Sequence, residues 1–283
     1  MTISFNIFYV SNVIAVIKEN EELVNINLET KEITKEIYVK TSERMVQNNR
    51  TEPYIPEAVR NDSRMIIGGD DRSEIGNTNV HPFSTICYIE TKFSDGSVTY
   101  GTAVMIYKNL AITAGHCVYS PDKGAPESVK VWPGRKEKES LFGYVNVLDI
   151  LLNQTYIDYA NSNEDWALLT LSGNIGDACG WSGIAFSDDY SYFANGEKVR
   201  VTGYPTEKGI RQYTGYGDVI GASDIFLAYE VDTTGGQSGS PVYDKGGYVI
   251  GIHIAEGAYD GRPANICSNI TRNRFNTFVE KMK

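Results

Sequence analysis

Three polar residues stand in segments that would suit nucleophilic catalysis by a serine. His116 lies in LAITAGHCVYS after an apolar run, Asp165 lies in NEDWALLTL at the start of another, and Ser238 lies in GGQSGS between glycines. A serine hydroxyl is a weak nucleophile, so it requires a histidine to take its proton and an acid to fix the tautomer of that histidine. The chain order His, Asp, Ser is one in which such a triad occurs. The pattern therefore predicts acyl-transfer chemistry at these three residues.

Glycine is concentrated around Ser238. The segment GGQSGS follows IFLAYEVDTT, whose first half is typical of a buried strand. Glycine costs conformational entropy in a strand and supplies no side chain to pack, so the cluster indicates a turn with special backbone geometry. Such a turn can present amide N–H groups to an external group. An ordinary hairpin turn is the alternative.

The elements that must position these residues are predicted to be strands. From MIIGGDDR onwards, short apolar runs such as STICYIE, VTYGTAVMIY and KVRVTGYP alternate with turn residues almost to the end of the chain. That spacing predicts a β-barrel or a β-sandwich. Only TRNRFNTFVEKMK differs, because its apolar residues Phe275, Phe278, Val279 and Met282 lie on one face of a helix. We expect an all-β fold with a C-terminal helix.

Length and composition limit the classes of protein that remain. The 283 residues are 41% hydrophobic, which is enough for one large all-β unit or two smaller halves. The net charge of -10 argues against a nucleic-acid partner. Four cysteines, Cys87, Cys117, Cys179 and Cys267, lie far apart without a CxxC pair, so no metal and no cofactor are expected. The cysteines allow one or two disulfides, and three pairings stay open.

Residues 1–64 differ in kind from the rest. Their apolar run ISFNIFYVSNVIAVI has no lysine or arginine ahead of it and no small-residue cleavage site, so it is a poor signal peptide. It is also too short for a membrane span, and we expect no contact with a membrane. The run fits either a mistaken or truncated start or a strand of a leader domain. The charged stretch of residues 18–64 is nearly glycine-free and is expected to be separable from residues 65–283.

Several motifs resemble those of a known family. TAGHC, DWALL and GGQSGSPV together resemble the trypsin-like serine proteases, and IIGGDDR, TAGHCVY and GGQSGSPVY followed by GIH resemble the bacterial glutamyl endopeptidases. The resemblance covers about residues 65–283. It implies a chymotrypsin-like fold of two antiparallel six-stranded β-barrels, with His116 and Asp165 from the first barrel and Ser238 from the second. It also implies that the N–H groups of Gly236 and Ser238 form an oxyanion hole.

The resemblance further implies a preference for glutamate, with aspartate as a second choice, before the scissile bond. Thr233 and His253 would bind the substrate carboxylate through a hydroxyl donor and an imidazole that can carry a proton. A third ligand would be the α-amino group of Met65, released by a cut after Arg64, with Ile66 as the alternative new N-terminus. That cut would make residues 1–64 a pro-segment and the chain a zymogen.

Three residues bear on this expectation. Asp232 stands where trypsin carries its specificity carboxylate, so an enzyme that cleaves after Arg or Lys remains the alternative. Gln237 replaces the aspartate that pairs with the new N-terminus in trypsin-like zymogens, which leaves that amine free for the substrate. Cys117 lacks the partner that the family often places about sixteen residues earlier, near Gly101, and a bond between Cys87 and Cys117 stays open.

The partners that the resemblance implies are protein or peptide substrates and an activating protease. It also implies secretion, and we expect a monomer. A non-catalytic pseudoprotease that binds a partner in the cleft is the alternative outside enzymes, although a binding module has no need of all the predicted catalytic groups together. A hydrolase that acts on esters would share the same acyl chemistry.

Overall fold

The computed structural model describes residues 20–39, 50–54 and 72–283. Met65 and the expected cut after Arg64 lie outside the described residues. The apolar run near the N-terminus, considered above as a signal peptide or leader strand, lies outside them as well.

An antiparallel hairpin near the N-terminus belongs to the sheet of the first barrel. It consists of β1 (Asn20–Asn27) and β2 (Ile33–Val39), and β1 extends the sheet by pairing with residues 149–153. Leu23 and Val24 of β1 are buried in the larger hydrophobic core. The hairpin is therefore packed into the body of the protein, whereas the charged composition of this region led us to expect a separable segment.

Six antiparallel strands close into the first barrel. They are β4 (Ile86–Lys92), β5 (Val98–Tyr107), β6 (Leu110–Thr113), β7 (Ser128–Pro133), β8 (Val145–Asn153) and β9 (Ala167–Leu171). Round the barrel they run β4, β5, β6, β9, β8 and β7, and the pairing of β7 with β4 closes it. Alternate residues of β7, including Val129 and Val131, are buried, as expected where a small barrel is filled by its inward side chains.

Six further strands close into the second barrel. They are β10 (Lys198–Gly203), β11 (Tyr213–Ala222), β12 (Phe226–Tyr229), β13 (Pro241–Tyr243), β14 (Val249–Tyr259) and β15 (Arg262–Asn269). The order is β10, β13, β14, β15, β12 and β11, and β11 pairs with β10 to close the barrel. A short strand, β3 (Arg72–Glu74), pairs with the first residues of β11. The two closed barrels confirm the predicted fold class.

The structure describes three α-helices, α1 (Gln154–Tyr159), α2 (Gly176–Cys179) and α3 (Arg272–Lys281). The hydroxyl of Thr271 caps α3 by accepting a backbone N–H of its first turn. The apolar face of α3 packs against the larger core through Phe275, Phe278, Val279 and Met282. The predicted terminal helix is confirmed. Over the described residues, we find no helix with the length and apolar character that a membrane crossing requires.

All four cysteines belong to the described residues, and all are free and buried. The disulfides that the sequence allowed are therefore not formed, including the bond between Cys87 and Cys117 that was left open. Beside Cys117 the reason is local. A Cβ on Gly101 would lie 2.8 Å from the Cys117 Sγ atom, so the place of a bonding partner is held by a residue without a side chain.

Candidate active site

Two adjacent strands of the first barrel bring His116 and Asp165 together. His116 lies in a 3-10 turn that follows β6, and Asp165 lies just before β9. Because Thr113 at the end of β6 pairs with Ala167 at the start of β9, both turns lie at the same end of the barrel. Asp165 Oδ2 lies 2.7 Å from His116 Nδ1, and Asp165 Oδ1 accepts the backbone N–H of His116 at 2.9 Å. Both carboxylate oxygens therefore hold the histidine in one orientation.

The glycine before His116 leaves room for this pairing. A Cβ on Gly115 would lie 3.1 Å from Asp165 Oδ1 and 3.0 Å from the ring of Tyr156. These distances are shorter than ordinary van der Waals contact, so a larger residue would push the carboxylate away from His116. The small Ala-Gly pair in the sequence is thus explained by the approach of the aspartate.

The neighbours of His116 favour its protonated form. Its side chain is 39% exposed, whereas that of Asp165 is 10% exposed. Partial burial lowers the pKa of His116, but Cys117 and Asp165 act more strongly in the opposite direction, so the pKa lies well above its ordinary value. Asp165 is therefore placed to stabilise an imidazolium.

The turn that carries Ser238 in the second barrel is tied to the first barrel by Thr102 of β5. Thr102 donates its backbone N–H to the carbonyl oxygen of Ser238 at 2.9 Å and its hydroxyl to the carbonyl oxygen of Gly236 at 2.9 Å. The thiol of Cys117, next to His116, also reaches the Ser238 carbonyl oxygen at 3.5 Å. Ser238 therefore lies beside the His116 turn. Among the hydrogen bonds of the described residues, none joins the Ser238 hydroxyl to His116, and such bonds often tighten only when substrate binds.

The amide N–H groups of Gly236 and Ser238 in this turn have no acceptor among the described residues. The N–H groups of Gln237 and Gly239 do bind backbone carbonyl oxygens, at 3.1 and 2.8 Å. Gly236 has a φ of +91°, and a Cβ there would lie 2.5 Å from the carbonyl oxygen of Tyr204. A glycine is therefore required at 236 for a turn that leaves these two donors free.

The predicted specificity residues are both buried, with exposures of 8% for Thr233 and 3% for His253. The Thr233 hydroxyl donates to Asn265 Oδ1 at 2.8 Å, and the Tyr229 hydroxyl lies 2.8 Å from His253 Nδ1. Burial, together with repulsion from His116, lowers the pKa of His253 to about 3. We expected an imidazole able to carry a proton, but in the free protein its burial keeps the ring neutral at ordinary pH.

Asp232 lies in a different environment from Thr233. Asp232 is exposed, and with Glu230 and Glu256 it lines a cavity of about 350 Å³. Asn265, which accepts the Thr233 hydroxyl, lines the same cavity. An acidic wall therefore adjoins the buried pair that was predicted to bind a carboxylate.

A family model described as the trypsin-like peptidase domain matches residues 101–252. That range contains His116, Asp165 and Ser238, and it spans parts of both barrels. The chain belongs to the trypsin-like peptidase family.

This trypsin-like peptidase is similar to several glutamyl endopeptidases, as the motifs indicated. It is 30% identical over 229 residues to the glutamyl endopeptidase of Bacillus licheniformis, across 76% of this chain and 68% of that protein. It is 30% identical to the glutamyl endopeptidase of Staphylococcus epidermidis, across 67% of this chain and 65% of that protein. The solved structure of a Glu endopeptidase in complex with MPD matches with a TM-score of 0.66 and 26% identity, across 77% of this chain and 99% of the other. The chain spans about two thirds of the length of the curated relatives it matches.

One relative of this trypsin-like peptidase is named a metalloprotease rather than a glutamyl endopeptidase. The extracellular metalloprotease of Bacillus subtilis is 31% identical over 217 residues, across 75% of this chain and 67% of that protein. A catalytic zinc ion requires several His, Cys, Asp or Glu side chains that converge. In residues 20–39, 50–54 and 72–283 we find no group of three such side chains placed to hold a metal ion. The described side chains therefore offer no His, Cys, Asp or Glu ligand set that fits a catalytic metal ion.

Sequence reasoning missed three residues that shape the site of this trypsin-like peptidase. Thr102 and Asn265 carry no sequence signal, because a threonine or an asparagine within a strand looks like any other. Arg72 ends the motif IIGGDDR, which was noted only for the resemblance. Its Nη1 atom lies 3.2 Å from Gln237 Oε1 and 3.1 Å from Thr234 Oγ1, so it contacts the turn that leads to the serine.

Proposed function

We propose that this chain is a serine endopeptidase, made as a zymogen, that cleaves peptide bonds after glutamate with His116, Asp165 and Ser238 as its catalytic triad. The observation that carries the proposal is the His116–Asp165 pair, set beside a serine turn with two amide donors that no described residue uses. A partner-binding module has no need of this combination, which argues against a pseudoprotease.

Acylation begins when the Ser238 hydroxyl oxygen attacks the carbonyl carbon of the scissile bond. His116 takes the hydroxyl proton on Nε2, because its Nδ1 is bound to Asp165. The carbonyl oxygen becomes an oxyanion, which the N–H groups of Gly236 and Ser238 stabilise, and each such donor is worth roughly 2.7 to 4 kcal/mol in comparable sites. When the intermediate collapses, the C–N bond breaks and His116 gives the proton to the leaving amine. An acyl-enzyme remains on Ser238.

Deacylation runs through the same groups with water as the nucleophile. His116 takes one proton from water as the water oxygen attacks the acyl carbon. The second tetrahedral intermediate then expels the Ser238 oxygen, which recovers its proton from His116. Asp165 stabilises the imidazolium in both halves of the cycle. The products are a new carboxylic acid and the free enzyme.

Thr233 and His253 support a pocket for a carboxylate. Burial keeps the pKa of Tyr229 well above its ordinary value, so its hydroxyl retains its proton and can donate to His253 Nδ1. His253 then carries its own proton on Nε2 and can donate it to a substrate oxygen. The Thr233 hydroxyl can turn from Asn265 to the same carboxylate. The positive charge that this neutral pair lacks would come from the α-amino group of Met65, as the family resemblance implies.

The zymogen part of the proposal concerns residues 1–64. A cut after Arg64 would create the amine at Met65, and before that cut the pocket would lack its cation. Because β1 is paired with β8, the hairpin can stay bound to the first barrel after the cut. Activation would then require only cleavage of the peptide bond between Arg64 and Met65.

One observation favours the second candidate, a peptidase that cleaves after Arg or Lys. Asp232, Glu230 and Glu256 give the neighbouring cavity an acidic lining that would attract a cation. Against this, Asp232 is exposed, whereas Thr233 and His253 are buried where a substrate side chain can be enclosed. We therefore favour glutamate.

Two matched peptides that differ only in Glu or Arg before the scissile bond test the proposal. They are to be incubated with the intact chain and with protein nicked after Arg64, each beside a Ser238→Ala variant. We expect cleavage after Glu by the nicked form only and none by the variant. Full activity of Ser238→Ala in a clean preparation would rule out the triad, and cleavage after Arg would assign the pocket to Asp232.

A further inference from the structure

Arg72 is held in a fixed position beside the serine turn. It lies on β3, where its backbone pairs with Gly215 of β11, and its side chain is only 10% exposed. Its Nη1 atom lies within hydrogen-bond distance of three acceptors. The distances are 3.0 Å to Glu207 Oε1, 3.1 Å to Thr234 Oγ1 and 3.2 Å to Gln237 Oε1. The guanidinium therefore joins β3, the loop that contains Glu207 and the turn before Ser238.

Glu207 is the counter-charge that keeps the guanidinium there. Its Oε1 atom faces Arg72, and its Oε2 atom accepts the Thr234 hydroxyl at 2.6 Å. Burial raises the pKa of Glu207, but the hydrogen bonds from Thr234 and Arg72 outweigh it and the net pKa is lowered. The carboxylate is thus ionised whenever Arg72 is charged. Because one partner is nearly buried and both belong to a hydrogen-bonded network, this pair is less screened than an ordinary surface pair.

Gln237 connects this network to the two amide donors. Its side chain is fully buried, and its Oε1 atom accepts both Arg72 Nη1 and the backbone N–H of Thr234, the latter at 3.0 Å. Gln237 is the residue between Gly236 and Ser238, so its backbone fixes the direction of the N–H on either side. A shift of the Gln237 side chain would therefore rotate the donors that face a developing oxyanion.

We propose that Arg72 is a positioning residue, which holds the Gly236 and Ser238 amides in their oxyanion-binding orientation through Gln237. The proposal rests on the proposed function, because it assigns a role within that site. Arg72 does not touch the substrate in this role. Since the oxyanion is absent from the bound substrate and develops only as the tetrahedral intermediate forms, loss of Arg72 lowers kcat and leaves KM nearly unchanged.

The experiment compares Arg72→Met and Arg72→Lys with Arg211→Met in the nicked protein. Arg211 is a matched control, because it also bonds to β3, through Glu74, while its other described partner is Glu137. We expect Arg72→Met to lower kcat about 10- to 100-fold, less than the 10²- to 10³-fold loss when an oxyanion donor is removed outright. Its affinity for a peptide aldehyde, which forms a tetrahedral adduct with the serine, falls by the same factor. Arg72→Lys should recover part of the kcat and part of the aldehyde affinity, because lysine keeps the positive charge but lacks the planar guanidinium group.

The readouts separate positioning from a merely structural role. A drop in kcat and in aldehyde affinity, with KM and the melting temperature close to those of Arg211→Met, supports the proposal. The proposal is overturned if Arg72→Met has the same kcat as Arg211→Met, or if only its KM changes. It is also overturned if the kcat per titrated active site is normal and only the stability of the variant falls. If Arg72→Met fails to fold, Glu207→Gln replaces it as the test variant. It weakens the anchoring of the Arg72 guanidinium and should still lower kcat about 3- to 10-fold. An unchanged kcat in Glu207→Gln refutes the proposal.

Failure of the proposed function is recognised separately. In that case the wild-type chain cleaves neither matched peptide and does not react with a fluorophosphonate probe. Failure of the Arg72 proposal alone leaves an active wild-type enzyme and an Arg72→Met variant that is equally active.

Discussion

The backbone N–H of Thr102, in the first barrel, donates a 2.9 Å hydrogen bond to the carbonyl oxygen of Ser238, in the second. The Thr102 hydroxyl adds a bond to the Gly236 carbonyl oxygen and accepts the backbone N–H of Tyr204 at 3.0 Å. One buried residue therefore fixes the serine turn relative to the barrel that carries the histidine and the aspartate. Correct placement of reacting groups depends on such contacts between the barrels.

Replacement of Thr102 by valine should lower both activity and stability. Valine keeps the shape and the backbone N–H but removes the hydroxyl, which leaves the Tyr204 N–H buried without a partner. We expect a loss of about 1 to 3 kcal/mol in the free energy of unfolding, and a kcat reduced about 10-fold because the Gly236 peptide is released. Urea denaturation and steady-state kinetics measure the two effects. Thr99→Val is the matched control, since Thr99 is exposed on the same strand, and equal behaviour of the two variants would contradict the assignment.

The raised pKa of His116 predicts where activity is lost in acid. The general base must be neutral, so kcat/KM falls as pH drops through the pKa of His116 in the free enzyme. Because that pKa lies above its ordinary value, the midpoint of the acid limb is expected above the usual pH of about 6.5. A pH profile of kcat/KM measures the midpoint directly, and a midpoint below 6 would contradict the prediction.

Cys117 should contribute to that midpoint. Its sulfur lies next to His116, and the negative charge that it carries when ionised is one of the causes that raise the pKa of the ring. Cys117→Ala is therefore expected to move the acid limb to lower pH. Cys179→Ala is the control for loss of a buried thiol, because Cys179 lies at the end of α2 and bonds to its own turn. The same shift in both variants would show that the thiol at 117 has no specific effect.

The strands, the terminal helix and the proposed triad could be predicted from sequence because they depend on local signals. Periodicity predicted a barrel or a sandwich and the terminal helix, the motifs around His116, Asp165 and Ser238 suggested the triad, and the family resemblance supplied the division into two barrels. Contacts between segments that lie far apart in the sequence could not be predicted from it. Nothing in the β1 sequence shows that Leu23 will pack against the first barrel, and nothing near Thr102 shows that it will bind the serine turn. The neutral state of His253 was missed for the same reason, because burial is a tertiary property.

His253 should make the fold sensitive to acid. Its pKa is lowered to about 3 in the folded protein, mainly by burial, while in the unfolded chain it is near 6.5. The unfolded state therefore binds the proton more readily, and this residue's contribution to stability is lost as pH falls from about 6.5 towards 3. At pH 4.5 the loss is about 2 to 3 kcal/mol, since each pKa unit corresponds to about 1.4 kcal/mol.

A glutamine at position 253 isolates this contribution. Urea denaturation of the wild type and of His253→Gln at pH 7 and pH 4.5 should show a smaller acid-induced loss of stability in the variant. The difference between the two pH values is the quantity to compare, because the substitution also changes packing at both. An identical loss in the two proteins would mean that His253 is not held neutral in the fold.

A cysteine introduced at position 101 would lie where a disulfide partner of Cys117 is expected. A Cβ on Gly101 would lie 3.4 Å from the Cys117 Cβ and 2.8 Å from its Sγ, close to the geometry of a natural disulfide. Gly101→Cys is therefore expected to form a bond with Cys117 under oxidising conditions. It would close a loop of about 16 residues and stabilise the fold by about 3 kcal/mol in the loop-entropy description. Comparison of the urea midpoint with and without reductant measures this gain.

The same variant also tests the influence of the thiol on the histidine. Once Cys117 is bonded, its sulfur can neither donate a proton towards Ser238 nor ionise, so it no longer raises the pKa of His116. The acid limb of kcat/KM should then move to lower pH, as in Cys117→Ala. The double variant Gly101→Cys, Cys117→Ala is the control for the added side chain alone. A stability that does not respond to reductant, with both thiols still titratable, would show that the two positions are not within bonding reach.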